Sequence, residues 1–212
     1  MMSLEKKEST KKIGTSIKMG KIFYISDLHI GHENVIKFDN RPFENVEEME
    51  SILIKKWNET VTNEDTVYIL GDFCWLKEDD WIRILDMLNG SKVLIRGNHD
   101  LKEMSSKLKK RFADVKDYKE IKDNCRRVIM CHYPIPFYKA DYADNVYMLY
   151  GHLHSTIEES FMQDIKKMIL ERDNRGGSAN KCHFYNCWLG YYDYKPVTLD
   201  QIIEKWRDKE NE

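Results

Sequence analysis

A chain of 212 residues, 42% hydrophobic and 12% aromatic with four prolines, has the material for one hydrophobic core and is short for two. Its 34 Lys and Arg against 36 Asp and Glu leave a formal charge of -2, which excludes a global electrostatic pull toward nucleic acid or an anionic membrane; a polyanionic partner must be held locally. The five cysteines form no CxxC pair, no apolar run approaches the ~18 residues of a membrane span, and no signal-peptide core precedes the first charged residues, so a soluble protein with free thiols in the cytoplasm is expected.

Residues 1–20 are rich in lysine and lack apolar periodicity, and read as a flexible extension ahead of one domain over residues 21–208. Ile22 to Ile25 has the composition of a strand. Val46 to Val61 puts Val46, Met49, Leu53 and Trp57 on one helical face, with Asn45 and Glu48 as a capping pair. Val67 to Leu70 is a second strand, and Asp79 to Asn89 a helix burying Trp81, Ile82, Leu85 and Leu88 that Gly90 stops. Val93 to Ile95 is a third strand. Leu101 to Phe112 reads as a lysine-rich helix with Met104, Leu108 and Phe112 spaced by four. Val128 to Met130 and Tyr147 to Tyr150 are later strands. Ser155 to Lys181 reads as a helix followed by a flexible loop around Asn174-Arg175-Gly176-Gly177, His183 to Tyr192 as a return to the sheet, and Leu199 to Trp206 as a last short helix. Strands alternating with helices make an α/β domain.

The loops leaving the strands carry the chemistry. Asp27-Leu28-His29 comes after the first, Gly71-Asp72 after the second, Gly97-Asn98-His99-Asp100 after the third, His132 after the next and Gly151-His152-Leu153-His154 after the last. In α/β sheets the crevice beyond the strand ends is where sites assemble, so the five loops are expected to converge. Mixed imidazole and carboxylate ligands suit Mn, Fe, Zn, Co or Ni better than Mg or Ca. In Asp27-x-His29 and His152-x-His154, extended backbone would turn both side chains to one side. A carboxylate such as Asp72 can bridge two ions, and two ions can clamp the attacking and leaving oxygens of a phosphoryl displacement, which predicts phosphate-ester hydrolysis by a metal-bound hydroxide. Each cluster alone is ordinary turn chemistry; five in order after five strands are not.

These blocks resemble the calcineurin-like metallophosphoesterase superfamily, from residue 21 to about 200. Within it, Asp27 to Asn34, Asn40-Arg41-Pro42-Phe43 and Cys131-His132-Tyr133-Pro134 are similar to a small bacterial and phage group of stand-alone phosphoesterases. The resemblance implies a four-layer α/β/β/α sandwich with two mixed β-sheets. It implies one metal on Asp27, His29, Asp72 and His154 and another on Asp72, Asn98, His132 and His152, Mn being favoured. It also implies that His99 serves the leaving oxygen and that Asp100 orients His99.

Around this set, His32 and Asn34 are candidates for the substrate phosphate, with turn hydrogen bonding as the plainer role. Arg41 either clamps phosphate or anchors the Pro42-Phe43 turn, and Arg96 is expected to be buried in a salt bridge beside Gly97. Cys182-His183-x3-Cys187 lacks the further ligands of a zinc site. The run Lys107, Lys109, Lys110, Arg111 reads as a solvated face rather than an RNA stripe. The expected substrate is a small phosphate ester, a nucleotide among them, taken as mono- or diester. The competing readings are a nuclease with a basic groove reaching the metals and a non-catalytic scaffold that keeps its ions. Oligomeric state is not legible in the sequence.

Overall fold

The computed structural model describes residues 20–172 and 181–210. Its chain order is β1 (Ile22–Ile25), α1 (Glu33–Phe38), α2 (Val46–Thr60), β2 (Thr66–Ile69), α3 (Glu78–Met87), β3 (Ser91–Ile95), α4 (Ser106–Lys109) and β4 (Asp114–Lys116). Then come β5 (Tyr118–Asp123), β6 (Arg126–Cys131), β7 (Val146–Tyr150), α5 (Ile157–Arg172), β8 (Phe184–Asn186) and α6 (Leu199–Glu210). Two four-stranded sheets form, in the orders β1-β2-β3-β4 and β5-β6-β7-β8. The first is parallel throughout its strands, and an antiparallel bridge from Val197 to Tyr24 lies on the other edge of β1. The second is mixed, with β5 antiparallel to β6 and the rest parallel.

Side-chain alternation builds the expected four layers. Phe23, Ile25, Val67, Ile69 and Leu94 point to one face of the first sheet, where Met49, Leu53 and Trp57 of α2 and Trp81, Ile84 and Leu85 of α3 cover them. Their neighbours Tyr24, Tyr68, Leu70, Val93 and Ile95 point the other way and meet Val128, Met130, Leu149 and Tyr185 of the second sheet. Ile202 and Trp206 of α6 pack against this middle layer. The far face of the second sheet, with Ile129, Met148, Tyr150 and Phe184, is covered by Met162, Ile165 and Ile169 of α5. Central strands buried on both faces are uninterrupted apolar runs, which is why β1, β2, β3, β6 and β7 were readable.

Three expectations need correction. The helix expected over Leu101 to Phe112 shrinks to α4, where the Ser105 side chain accepts from the Leu108 N–H and starts the helix late. Met104, Leu108 and Phe112 are buried as their spacing implied, but loop backbone carries the first and the last of them. His183 to Tyr192 yields only the three-residue β8 and then a 3-10 turn, Leu189–Tyr192, which Asp193 ends in left-handed backbone. Helix α1 and the strands β4 and β5 were not anticipated; β5 escaped because Tyr118–Asp123 carries two adjacent pairs of charged residues along a sheet edge. The Asn174 to Gly177 loop and residues 1–19 of the extension lie outside the described residues.

Asn45 caps α2 as expected, accepting from the Glu48 N–H at 2.9 Å while the Glu48 carboxylate accepts from the Glu44 N–H. For the site, the decisive feature is direction. β1, β2 and β3 run parallel, as do β6 and β7, so the loops leaving their carboxyl ends gather at one end of the sandwich.

Candidate metal centre

The ligand loops are tight and left-handed. Asp27, His29, Asp72, His152 and His154 have φ of 58°, 50°, 52°, 71° and 48°. Asp and His tolerate this region better than most residues, yet each such position costs about 1–3 kcal/mol and persists only where the surroundings fix it. Here they do: the N–H of Asp27 donates to the Gly71 carbonyl at 3.0 Å, that of His29 to the Asp72 carbonyl at 2.9 Å, and that of Gly151 to the His132 carbonyl at 2.9 Å. The paired presentation of Asp27 with His29 and of His152 with His154 therefore arises from left-handed turns and not from the extended backbone expected. The residues between them, Leu28 and Leu153, are buried in the cores and pin each loop. Gly71 and Gly97 permit close approaches at the site, since a Cβ at Gly71 would lie 2.3 Å from His132 Nδ1 and one at Gly97 would lie 2.1 Å from Asp72 Oδ1.

Two clusters of convergent donor atoms result, Asp27 with His29 and His154, and Asp72 with His132 and His152. The Nε2 atoms of His29 and His154 face each other at 3.2 Å, and His154 Nε2 lies 3.5 Å from Asp27 Oδ1. Asp72 Oδ2 is 3.6 Å from His29 Nε2 in the first cluster and 3.5 Å from His132 Nε2 in the second. Asn98 Oδ1 reaches His132 Nε2 at 3.0 Å, which adds the exposed amide to the second cluster.

Outer partners fix the tautomers. His132 Nδ1 is 2.7 Å from the Leu70 carbonyl and His154 Nδ1 is 2.8 Å from Asp39 Oδ1; neither oxygen can donate, so each Nδ1 carries the proton and each Nε2 is directed into the cluster. Burial pulls His29 down to about 3. Burial also opposes charge on His132 and His154, but Asp72 with Asp27 raises the first to about 9 and Asp27 with Asp39 raises the second to about 9. Burial alone would raise Asp27, yet the His154 hydrogen bond and the adjacent imidazoles hold it below the usual carboxylate range. Buried carboxylates facing imidazole nitrogens, with two Nε2 atoms nearly in contact, form a donor set that fits borderline divalent cations.

The calcineurin-like phosphoesterase family matches residues 20–205, the whole span of these loops. The chain belongs to that family. It is similar to an uncharacterized protein of Methanocaldococcus jannaschii, 34% identical over 192 residues, which are 89% of this chain and 92% of that one. It is also similar to the Gene 66 protein of Mycobacterium phage D29, 28% identical over 73% of this chain and 89% of the phage protein. Among solved structures, a protein of unknown function from Aquifex aeolicus matches at 27% identity and a TM-score of 0.57, covering 87% of this chain and 98% of the other.

The remaining candidates divide. His99 is exposed beside the calcineurin-like ligand loops, its ring centroid 5.7 Å from His29 and 4.8 Å from Trp75, and its backbone N–H donates to Asp72 Oδ1 at 2.9 Å. Asp100 corrects its expectation. Its oxygens accept from the backbone N–H groups of Gly97 (2.7 Å), Asp72 (3.0 Å) and Phe73 (2.8 Å), and it makes no hydrogen bond to His99; burial pushes it up to about 6. Arg41 is corrected too. At 4% exposure its guanidinium donates to Asp39 and to the carbonyls of Asp27 and Leu28, so it is committed to the loop and not to a phosphate. His32 comes within 5.7 Å of the His29 ring and stacks on Trp75 at 4.3 Å, whereas Asn34 is exposed on α1 with no side-chain hydrogen bond among the described residues.

Arg96 forms its salt bridge with Asp117, at the surface rather than buried. The basic run is partly neutralised, Lys107 lying 3.9 Å from Asp79 and Arg111 pairing with both oxygens of Asp86. Cys182 and Cys187 are buried, and the Cys182 thiol donates to the Lys166 carbonyl at 3.8 Å. Sequence reasoning passed over Asp39, the partner of His154, whose sole signal was an acid two residues before Arg41. Trp75 and Tyr133 are further exposed aromatic residues beside the site, and the Tyr133 ring lies 4.7 Å from His152. No helix among the described residues is long and apolar enough to cross a membrane.

Proposed function

We propose that the chain is a binuclear metal-dependent phosphoesterase that hydrolyses small phosphate mono- or diesters. The observation that carries this reading is Asp72 Oδ2, placed 3.6 Å and 3.5 Å from one imidazole of each cluster, as a shared ligand requires. Asp27, His29, Asp72 and His154 would hold one ion, and Asp72, Asn98, His132 and His152 the other, with Mn favoured. When bound, such ions neutralise phosphoryl oxygens and make a water acidic enough to attack at neutral pH.

The protein's own part is orientation and proton transfer. The Nδ1–H groups of His132 and His154 hold their rings so that both Nε2 lone pairs face the centre. His99 rides on the loop whose backbone is bonded to Asp72, so its ring keeps a fixed relation to both clusters. A ring N–H of His99 then donates to the leaving oxygen, the step a general acid serves. Asp100 holds the loop that carries Asp72 and takes no proton in this scheme.

For the substrate, Trp75 and Tyr133 offer exposed rings on opposite clusters, and Arg41 and Arg96 are committed to other partners. A small ester with an aromatic arm, such as a nucleotide, suits that lining better than a long polyanion. The free cysteines support a cytoplasmic setting. The test is hydrolysis of p-nitrophenyl phosphate and bis(p-nitrophenyl) phosphate by the purified protein with Mn. His99→Ala is expected to lose about 100- to 10,000-fold in turnover while keeping its metal. Unchanged turnover in that variant, or no turnover by the parent with any of Mn, Fe, Zn, Co and Ni, overturns the reading.

A further inference from the structure

Arg41 and Asp39 belong to no ligand set, yet they join the two ends of the first cluster, which draws Asp27 from the first ligand loop and His154 from the last. Arg41 Nη2 donates to the Asp27 carbonyl at 2.9 Å and Nη1 to the Leu28 carbonyl at 2.8 Å. The same guanidinium donates through Nε and Nη2 to Asp39 Oδ2, at 3.0 Å and 2.8 Å. Asp39 Oδ1 accepts from His154 Nδ1 at 2.8 Å. One continuous strut thus runs from the Asp27-Leu28 backbone through Arg41 and Asp39 to the His154 ring, and its ion pair is almost fully buried.

The second cluster has no such device among the described residues. His132 is held by a main-chain carbonyl, and the Asp72 loop by the Asp100 carboxylate acting on backbone N–H groups. We infer that Asp39 and Arg41 are positioning residues for the first metal site alone, setting its affinity by fixing His154 against Asp27. This rests on the proposed binuclear reading. Outer partners of ligating histidines typically govern 10- to 100-fold in metal affinity, and a planar guanidinium fork is what a strut with two backbone carbonyls and a carboxylate needs.

The experiment is calorimetric titration of the metal-free protein with Mn. His152→Ala isolates the first site and His29→Ala isolates the second. Asp39→Asn keeps the size of the side chain and removes its charge. It should weaken Mn binding about 10- to 100-fold in the His152→Ala background and leave the His29→Ala background within about threefold. The visible absorption of Co bound to the first site should change with it, a signature that a loss of stability alone does not produce. Should Asp39→Asn fail to fold, Arg41→Lys carries the same test, since it keeps the charge and loses the fork. Equal weakening in both backgrounds, or none in either, overturns the inference while leaving the phosphoesterase reading intact. A parent that binds no Mn overturns both.

Discussion

The two ligand clusters are close enough to share Asp72, but they are held by different means. The first, Asp27 with His29 and His154, is braced by the side chains of Asp39 and Arg41. The second, Asp72 with His132 and His152, is braced by main chain, through the Leu70 carbonyl and through three N–H groups gathered by Asp100. The Leu70 carbonyl is specified by the fold and survives many substitutions, whereas a brace that runs through a side chain, Asp39 and Arg41 in the first cluster or Asp100 in the second, fails with one. The clusters are therefore expected to respond differently to mutation except at Asp72, which faces an imidazole of each.

That common residue gives the largest effect. Asp72→Ala removes the oxygen that faces His29 and His132 and the acceptor of the His99 N–H. Both ions should bind more than about 100-fold more weakly, and hydrolysis should disappear at any Mn concentration that saturates the parent. Loss confined to one site, read by two-site calorimetry, would show that Asp72 is not shared.

Asp100→Asn probes the main-chain brace. The carboxylate accepts three N–H bonds, and an amide presents one oxygen and two hydrogens in their place. At least one buried N–H is left without a partner, at about 1–3 kcal/mol, and an amide N–H is forced against another donor. The metal-free variant should unfold at lower denaturant, with the second site weakened more than the first. A variant as stable as the parent, with both affinities unchanged, would remove Asp100 from the brace.

The contrast also explains what was legible in the sequence. The ligands could be read because each comes after a strand buried on both faces, and an uninterrupted apolar run such as Val67 to Leu70 fixes where the strand stops and the loop begins. Main-chain braces come with those strands. Asp39 could not be read, because its partner His154 lies 115 residues away and nothing local distinguishes it from a helix-terminal acid. The phosphate role open to Arg41 and the His99 partnership expected of Asp100 fail for the same reason: a charged side chain beside a ligand loop reads as chemistry until its hydrogen bonds are known. β5 was missed because an edge strand with one solvated face, Tyr118–Asp123, carries the polarity of a loop.

The last comparison separates the metal-free from the metal-bound state by pH. In the metal-free protein His132 and His154 are both raised from 6.5 to about 9, by Asp72 and Asp27 and by Asp27 and Asp39, against the opposing effect of burial. A folded pKa above the unfolded one contributes stability that is complete below about 6.5 and is lost as pH rises through 9, because the folded state there binds protons that the unfolded state has released. With two such groups, the stability of the metal-free protein should fall by up to about 2.7 kcal/mol per pH unit inside that window. Cations need the same Nε2 lone pairs, so binding displaces these protons and affinity should rise across the window in which metal-free stability falls. Thermal unfolding from pH 6.5 to 9, with and without Mn, reads both slopes. Asp39→Asn should flatten the metal-free slope by the part of the His154 share that Asp39 supplies, leaving the part that Asp27 supplies and the share of His132, which turns the difference between the two braces into a difference between two titrations. A metal-free slope that is flat or rising would mean that the carboxylates do not hold protons on these rings, and the charge assigned to the Asp39 brace would go with it.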